Sequence, residues 1–92
     1  MSELRRALTI VNKRGLHARA SAKFVGAVSA LPDGTSVRVA KDGNEAVGGS
    51  ILGLMMLGAA KGDDVELIIS GENSEAVMQE LGSLVEDGFG EE

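Results

Sequence analysis

The 92 residues suffice for one domain and fall short of two with separate cores, and 43% apolar content allows a packed interior. No cysteine is present, which excludes disulfides, zinc ribbons, iron–sulfur clusters and thiol catalysis; two aromatics, Phe24 and Phe89, are too few for a base-stacking platform. The net charge of −5 hides an asymmetry: residues 1–41 hold eight basic side chains against two acidic ones, residues 42–92 one against twelve. That pattern fits either an unevenly charged solvated surface or a basic face turned to an acidic partner or a phosphate, and whole-chain acidity opposes nucleic-acid binding.

The start, Met1-Ser2-Glu3-Leu4-Arg5-Arg6, lacks the apolar stretch of a secretion signal. The longest mostly apolar run, Ile51 to Ala60, is about half the ~20 residues that a membrane helix needs. The expectation is a cytoplasmic protein with no membrane insertion.

In chain order, Leu8-Thr9-Ile10-Val11 is β-rich and predicts a strand over about 4–12, ended by the turn residues Asn12-Lys13-Arg14-Gly15. From His17 the period changes. Ala20, Phe24, Val28 and Leu31 form one helical stripe, stopped by Pro32-Asp33-Gly34. Val37 and Val39 alternate with Arg38 and Ala40 as a half-buried strand. Asp42-Gly43 predicts a type I′ hairpin, which needs φ > 0 at both central residues, with Asn44 to Val47 returning.

After Gly48-Gly49, Ser50 opens a short apolar helix, Ile51 to Leu57. Val65, Leu67 and Ile69 alternate with Glu66, Ile68 and Ser70 as the last strand. A helix capped by Asn73 or Ser74 then buries Val77, Leu81, Leu84 and Val85. Residues 1–88 are expected to form the single domain and 89–92 a frayed acidic tail. Strand, helix, strand, strand, short helix, strand, helix is the order of an α+β sandwich, an antiparallel sheet covered on one face by helices.

Three features carry possible chemistry. The only histidine, His17, stands at the first turn of an amphipathic helix, where unpaired amides such as those of Ala18 and Arg19 and the helix dipole favour an anion. Arg19 is unfavourable at a helix start unless an anion arrives, and its guanidinium suits phosphate oxygens. A neutral imidazole nitrogen is also a nucleophile, so the site can be read as a phosphoryl acceptor or as a surface histidine near a helix start. A metal site is disfavoured with one histidine and no cysteine, and a serine hydrolase has no Gly-x-Ser-x-Gly elbow here.

Ser50 is either an ordinary N-cap or a phosphorylation site at a helix start. The run Ile51-Leu52-Gly53-Leu54-Met55-Met56-Leu57 holds more apolar side chains than one buried stripe requires, and the surplus suggests an exposed docking patch.

Gly15-Leu16-His17-Ala18-Arg19-Ala20-Ser21-Ala22-Lys23-Phe24-Val25 resembles the active-site motif of the HPr family, the histidine phosphocarriers of the bacterial phosphoenolpyruvate-dependent phosphotransferase system. Ser50 to Gly62 resembles that family's second signature, around a regulatory serine. Both stand in the expected order and spacing, and the resemblance covers the chain apart from its last residues. It implies an open-faced β-sandwich with a four-stranded antiparallel sheet and three helices. It implies that His17 accepts a phosphoryl group through Nδ1 from phosphorylated enzyme I and passes it to enzyme IIA proteins, with Arg19 steadying the phosphate. The protein would be a monomeric phosphotransfer intermediate without cofactor or metal, rather than a multiple-turnover enzyme.

Ser50 would be the site of an HPr kinase/phosphorylase, and Ile51, Leu52 and Met55 would dock partners. Ala20 departs from the family, which usually has proline there; alanine gives up a preset φ and gains an N–H. Gly26 lacks a common basic side chain, and the Gly-Gly-Ser segment is similar to HPr-like proteins of nitrogen-related regulatory systems. The alternative is a regulatory interaction domain of the same fold that works by docking alone.

Overall fold

The computed structural model describes residues 3–91; Met1, Ser2 and Glu92, the last residue of the expected tail, lie outside it. Four strands, β1 (Glu3–Thr9), β2 (Ser36–Lys41), β3 (Asn44–Val47) and β4 (Asp64–Ser70), alternate with the helices α1 (Ala18–Ser29), α2 (Ile51–Met56) and α3 (Ser74–Glu86). The sheet order is β1-β4-β2-β3, antiparallel throughout, so the last strand enters between the first two.

Local chemistry accounts for most boundaries. Asp42 and Gly43 take φ of 53° and 84°, the double positive φ of a type I′ turn, and join β2 to β3 in register. Strand β1 stops at Thr9, short of the expected 12. Ile10 instead exchanges hydrogen bonds with the 62–63 turn, donating to Asp63 O at 2.8 Å and accepting from Gly62 N at 2.8 Å. At the start of α3, Asn73 holds the cap position without a side-chain hydrogen bond, and Ser74 is buried.

One core lies between the sheet and the helices. Val37, Val39, Val65, Leu67 and Ile69 of the central strands meet Ala20 and Phe24 of α1, Leu54 of α2, and Val77, Leu81 and Val85 of α3. The open face of the sheet is covered by charged arms. Ile68 is buried there, although the alternation turns it away from the core, because the register sets Arg5 and Arg38 on either side of it. Their stems shield it while their guanidinium groups pair with Glu66, Glu3 and Glu45.

The chain after α3 differs from the expected frayed tail. Gly88–Gly90 forms a single 3-10 turn, and Phe89 is only 1% exposed, packed into the core. Phe89 adopts φ 58°, a conformation rare for a bulky residue; burial of its ring and a hydrogen bond from Lys23 Nζ to its carbonyl at 2.8 Å hold it there. An aromatic ring in a chain with only two was worth more to the core than to solvent.

Candidate functional site

The loop before α1 is built for close approach. Gly15 has φ 66°, and an added Cβ would collide with the Ala59 carbonyl oxygen and stand 2.8 Å from Ala60 Cα. Leu16, buried, donates to that same Ala59 carbonyl at 3.0 Å. Its own carbonyl accepts from Ser21 Oγ at 3.3 Å. Leu16 thus anchors the turn from which His17 projects.

His17 is the N-cap of α1, with φ −79° and ψ −177°. Its carbonyl accepts the first intrahelical bond, from Ser21 N at 2.9 Å. The amides of Ala18, Arg19 and Ala20 therefore precede any intrahelical acceptor. That of Arg19 donates to His17 Nδ1, at a long 3.3 Å. On the other side of the ring, Nε2 lies 2.9 Å from Glu91 Oε2. A carboxylate at Nε2 and an N–H at Nδ1 agree on one tautomer: the proton sits on Nε2 and the lone pair on Nδ1, facing the helix start.

Glu91 is fixed from two sides. Its second oxygen accepts from Asn12 Nδ2 at 3.1 Å, and Asn12, buried, spends its other N–H on Gly15 O at 2.8 Å. Both neighbours are acceptors, which sets the amide orientation and leaves Asn12 Oδ1 buried without a partner. The Glu91 carboxyl is held below its ordinary pKa, chiefly by the Asn12 hydrogen bond, then by that of His17 and by the positive charge of Arg19, against an opposing effect of burial. Beside it opens a cleft of about 380 Å³ lined by Lys13, Arg14, Arg19, Lys23, Gly90 and Glu91. Four cations around one carboxylate leave an excess of positive charge next to the imidazole.

Of the residues expected from sequence, His17, Ala18 and Arg19 come together here. Ser50 caps α2 instead, its Oγ accepting from Gly53 N at 2.9 Å. The apolar run divides as its surplus suggested: Leu54 is buried, while Ile51, Leu52, Met55 and Met56 are exposed, on a helix that packs against α1. The sequence reading missed Asn12 and Glu91. Asn12 looked like turn chemistry, and Glu91 lies 74 positions from His17 with no local signal beyond the neighbouring Phe89. Among the described residues, no three His, Cys, Asp or Glu side chains gather as a metal-binding group, and no helix is long and apolar enough to cross a membrane.

A four-stranded open-faced sandwich with a lone histidine at the start of its first helix, its Nδ1 lone pair turned to the helix amides, has the arrangement of a small phosphocarrier protein. Residues 4–87 match the family model described as the PTS HPr component phosphorylation site. Phosphocarrier protein HPr of Neisseria meningitidis is 43% identical over 88 residues, covering 96% of this chain and 97% of that protein. Phosphocarrier protein NPr of Shewanella violacea is 34% identical over 91 residues, covering 99% and 98%. The crystal structure of HPr from Thermoanaerobacter tengcongensis superposes with a TM-score of 0.86 at 38% identity, covering 100% and 99% of the two chains.

The chain belongs to the HPr family and is a phosphocarrier of the phosphotransferase system. A dimeric HPr from the same Thermoanaerobacter species also superposes, with a TM-score of 0.73, so the expectation of a monomer gains no support from these similarities.

Proposed function

We propose that His17 is the residue that carries the phosphoryl group, taken through Nδ1 from phosphorylated enzyme I and delivered to enzyme IIA proteins in the cytoplasm. What carries this reading is the single placement of Nδ1: a lone pair engaged only by one long amide contact, at a helix start, beside a cleft of cations. Attack by Nδ1 on phosphorus gives up only the weak bond from the Arg19 amide. That amide, with the amide of Ala18 and the positive end of the α1 dipole, is then free to donate to the phosphoryl oxygens. Arg19 supplies the mobile positive charge, since phosphoryl transfer depends on positioning and charge neutralisation.

Ile51, Leu52 and Met55 dock the partners, an assignment supported by their exposure on α2. Ser50, at the head of that helix, is the regulatory site for an HPr kinase/phosphorylase. A phosphate there adds about −1.5 to −2 charges to an otherwise apolar patch and weakens association with acidic partners. The purely docking alternative is not favoured, because nothing in it calls for the tautomer that the site selects.

The test is transfer itself. With phosphoenolpyruvate and a cognate enzyme I, the protein takes up one acid-labile phosphate, and His17→Ala takes up none. A His17→Ala protein that still acquires that phosphate would overturn the assignment.

A further inference from the structure

The geometry points to Glu91 as a positioning residue for phosphoryl transfer, an inference that rests on the reading of His17 given above. Nothing about a glutamate two residues beyond the core aromatic requires it to meet the histidine, yet the segment bearing it is fastened at three places. The Phe89 ring is buried, Lys23 holds the Phe89 carbonyl at 2.8 Å, and the Glu91 amide donates to Gly88 O at 3.0 Å. These fix the backbone, and Asn12 fixes the carboxylate, which then lies 2.9 Å from Nε2. The two side chains are 17% and 15% exposed, so water competes weakly for this bond.

Two consequences follow for transfer. Before it, a carboxylate can only accept, so Glu91 keeps the proton on Nε2 and the lone pair on Nδ1, where phosphorus must arrive. During it, the Nδ1 lone pair forms the N–P bond while the bond from phosphorus to the donor's leaving atom breaks, the donor keeping that electron pair. The ring becomes cationic because its Nε2 proton stays in place, and the Glu91 carboxylate faces that proton. Glu91 thereby stabilises the charge as it develops, from the side of the ring opposite the phosphoryl group. The phosphoryl oxygens are left to Arg19 and the helix amides.

Glu91→Gln separates this role from simple fastening. An amide matches the carboxylate in size, but its NH2 can donate to Nε2, which moves the ring proton to Nδ1 and closes the nucleophile. In full-length protein with a 15N-labelled, neutral imidazole, the wild type is expected to show a protonated Nε2 and a bare Nδ1. Glu91→Gln is expected to populate the opposite tautomer and to slow phosphoryl uptake from enzyme I by about tenfold, the scale of one lost charge-assisted hydrogen bond. Glu91→Asp should restore the wild-type tautomer and part of the rate.

An unchanged tautomer in Glu91→Gln would overturn the proposal, as would an altered tautomer with an unchanged rate. Wild-type protein that shows the expected tautomer yet takes no phosphate on His17 would instead overturn the underlying reading of His17, and the transfer role of Glu91 with it.

Discussion

Helices α1 and α2 begin in the same way and leave different things free. Each is capped by a side chain that accepts an N–H from its own first turn. At α2 the Ser50 hydroxyl does so at 2.9 Å, a short bond that closes a six-residue helix. At α1 the acceptor is His17 Nδ1 at 3.3 Å, too long to hold its lone pair firmly, while the opposite nitrogen is gripped by Glu91 at 2.9 Å. One cap uses its acceptor for the fold; the other keeps it in reserve. The surroundings differ in the same sense, cations around the first and exposed apolar side chains along the second.

This contrast can be broken at several points. The largest effect is expected at the α1 side, where Arg19→Ala should slow phosphoryl uptake by roughly tenfold to a hundredfold, the value of one hydrogen bond to a charged group, with an unchanged unfolding midpoint. Steady transfer rates in that variant would take the guanidinium out of the mechanism.

At the α2 side the order reverses. Ser50→Ala should lower stability by about 1 kcal/mol in urea unfolding and leave phosphoryl uptake untouched. A slowed first transfer step with unaltered stability would mean that the two helix starts had been assigned the wrong way round.

The smallest effect concerns acid. The folded Glu91 carboxyl has a lowered pKa, so its contribution to holding residues 88–91 is complete above the ordinary carboxylate range and is lost as pH falls through the lowered folded value. The side-chain carboxyl resonance of Glu91 should therefore titrate with a midpoint below 4.5, the ordinary value. A Glu91 midpoint at or above that value would show that the carboxylate is not held by Asn12 and His17 as described.

How much was legible beforehand depended on the range of the interaction. The Asp42-Gly43 turn and the Ser50 cap are written within four residues, and both stand where the sequence placed them. So does the His17 start of α1, since a change from period two to period four is a local signal. The insertion of β4 between β1 and β2 depends on pairing between residues about sixty positions apart on one side and about thirty on the other, which alternation does not encode. The burial of Ile68 under Arg5 and Arg38 is invisible for the same reason.

The last residues are the instructive case. Gly-Phe-Gly between acids has the composition of a loose end, and only the three-dimensional neighbourhood of Lys23, Asn12 and His17 turns it into part of the site.

The role of His17 is decided by where phosphorus sits. Protein with 15N-labelled histidine, phosphorylated by enzyme I and phosphoenolpyruvate, can be read by phosphorus–nitrogen coupling in NMR. A single phosphorus coupled to Nδ1 of His17 is expected; phosphorus on Nε2, or on any other residue, would refute the assignment of Nδ1 as the acceptor.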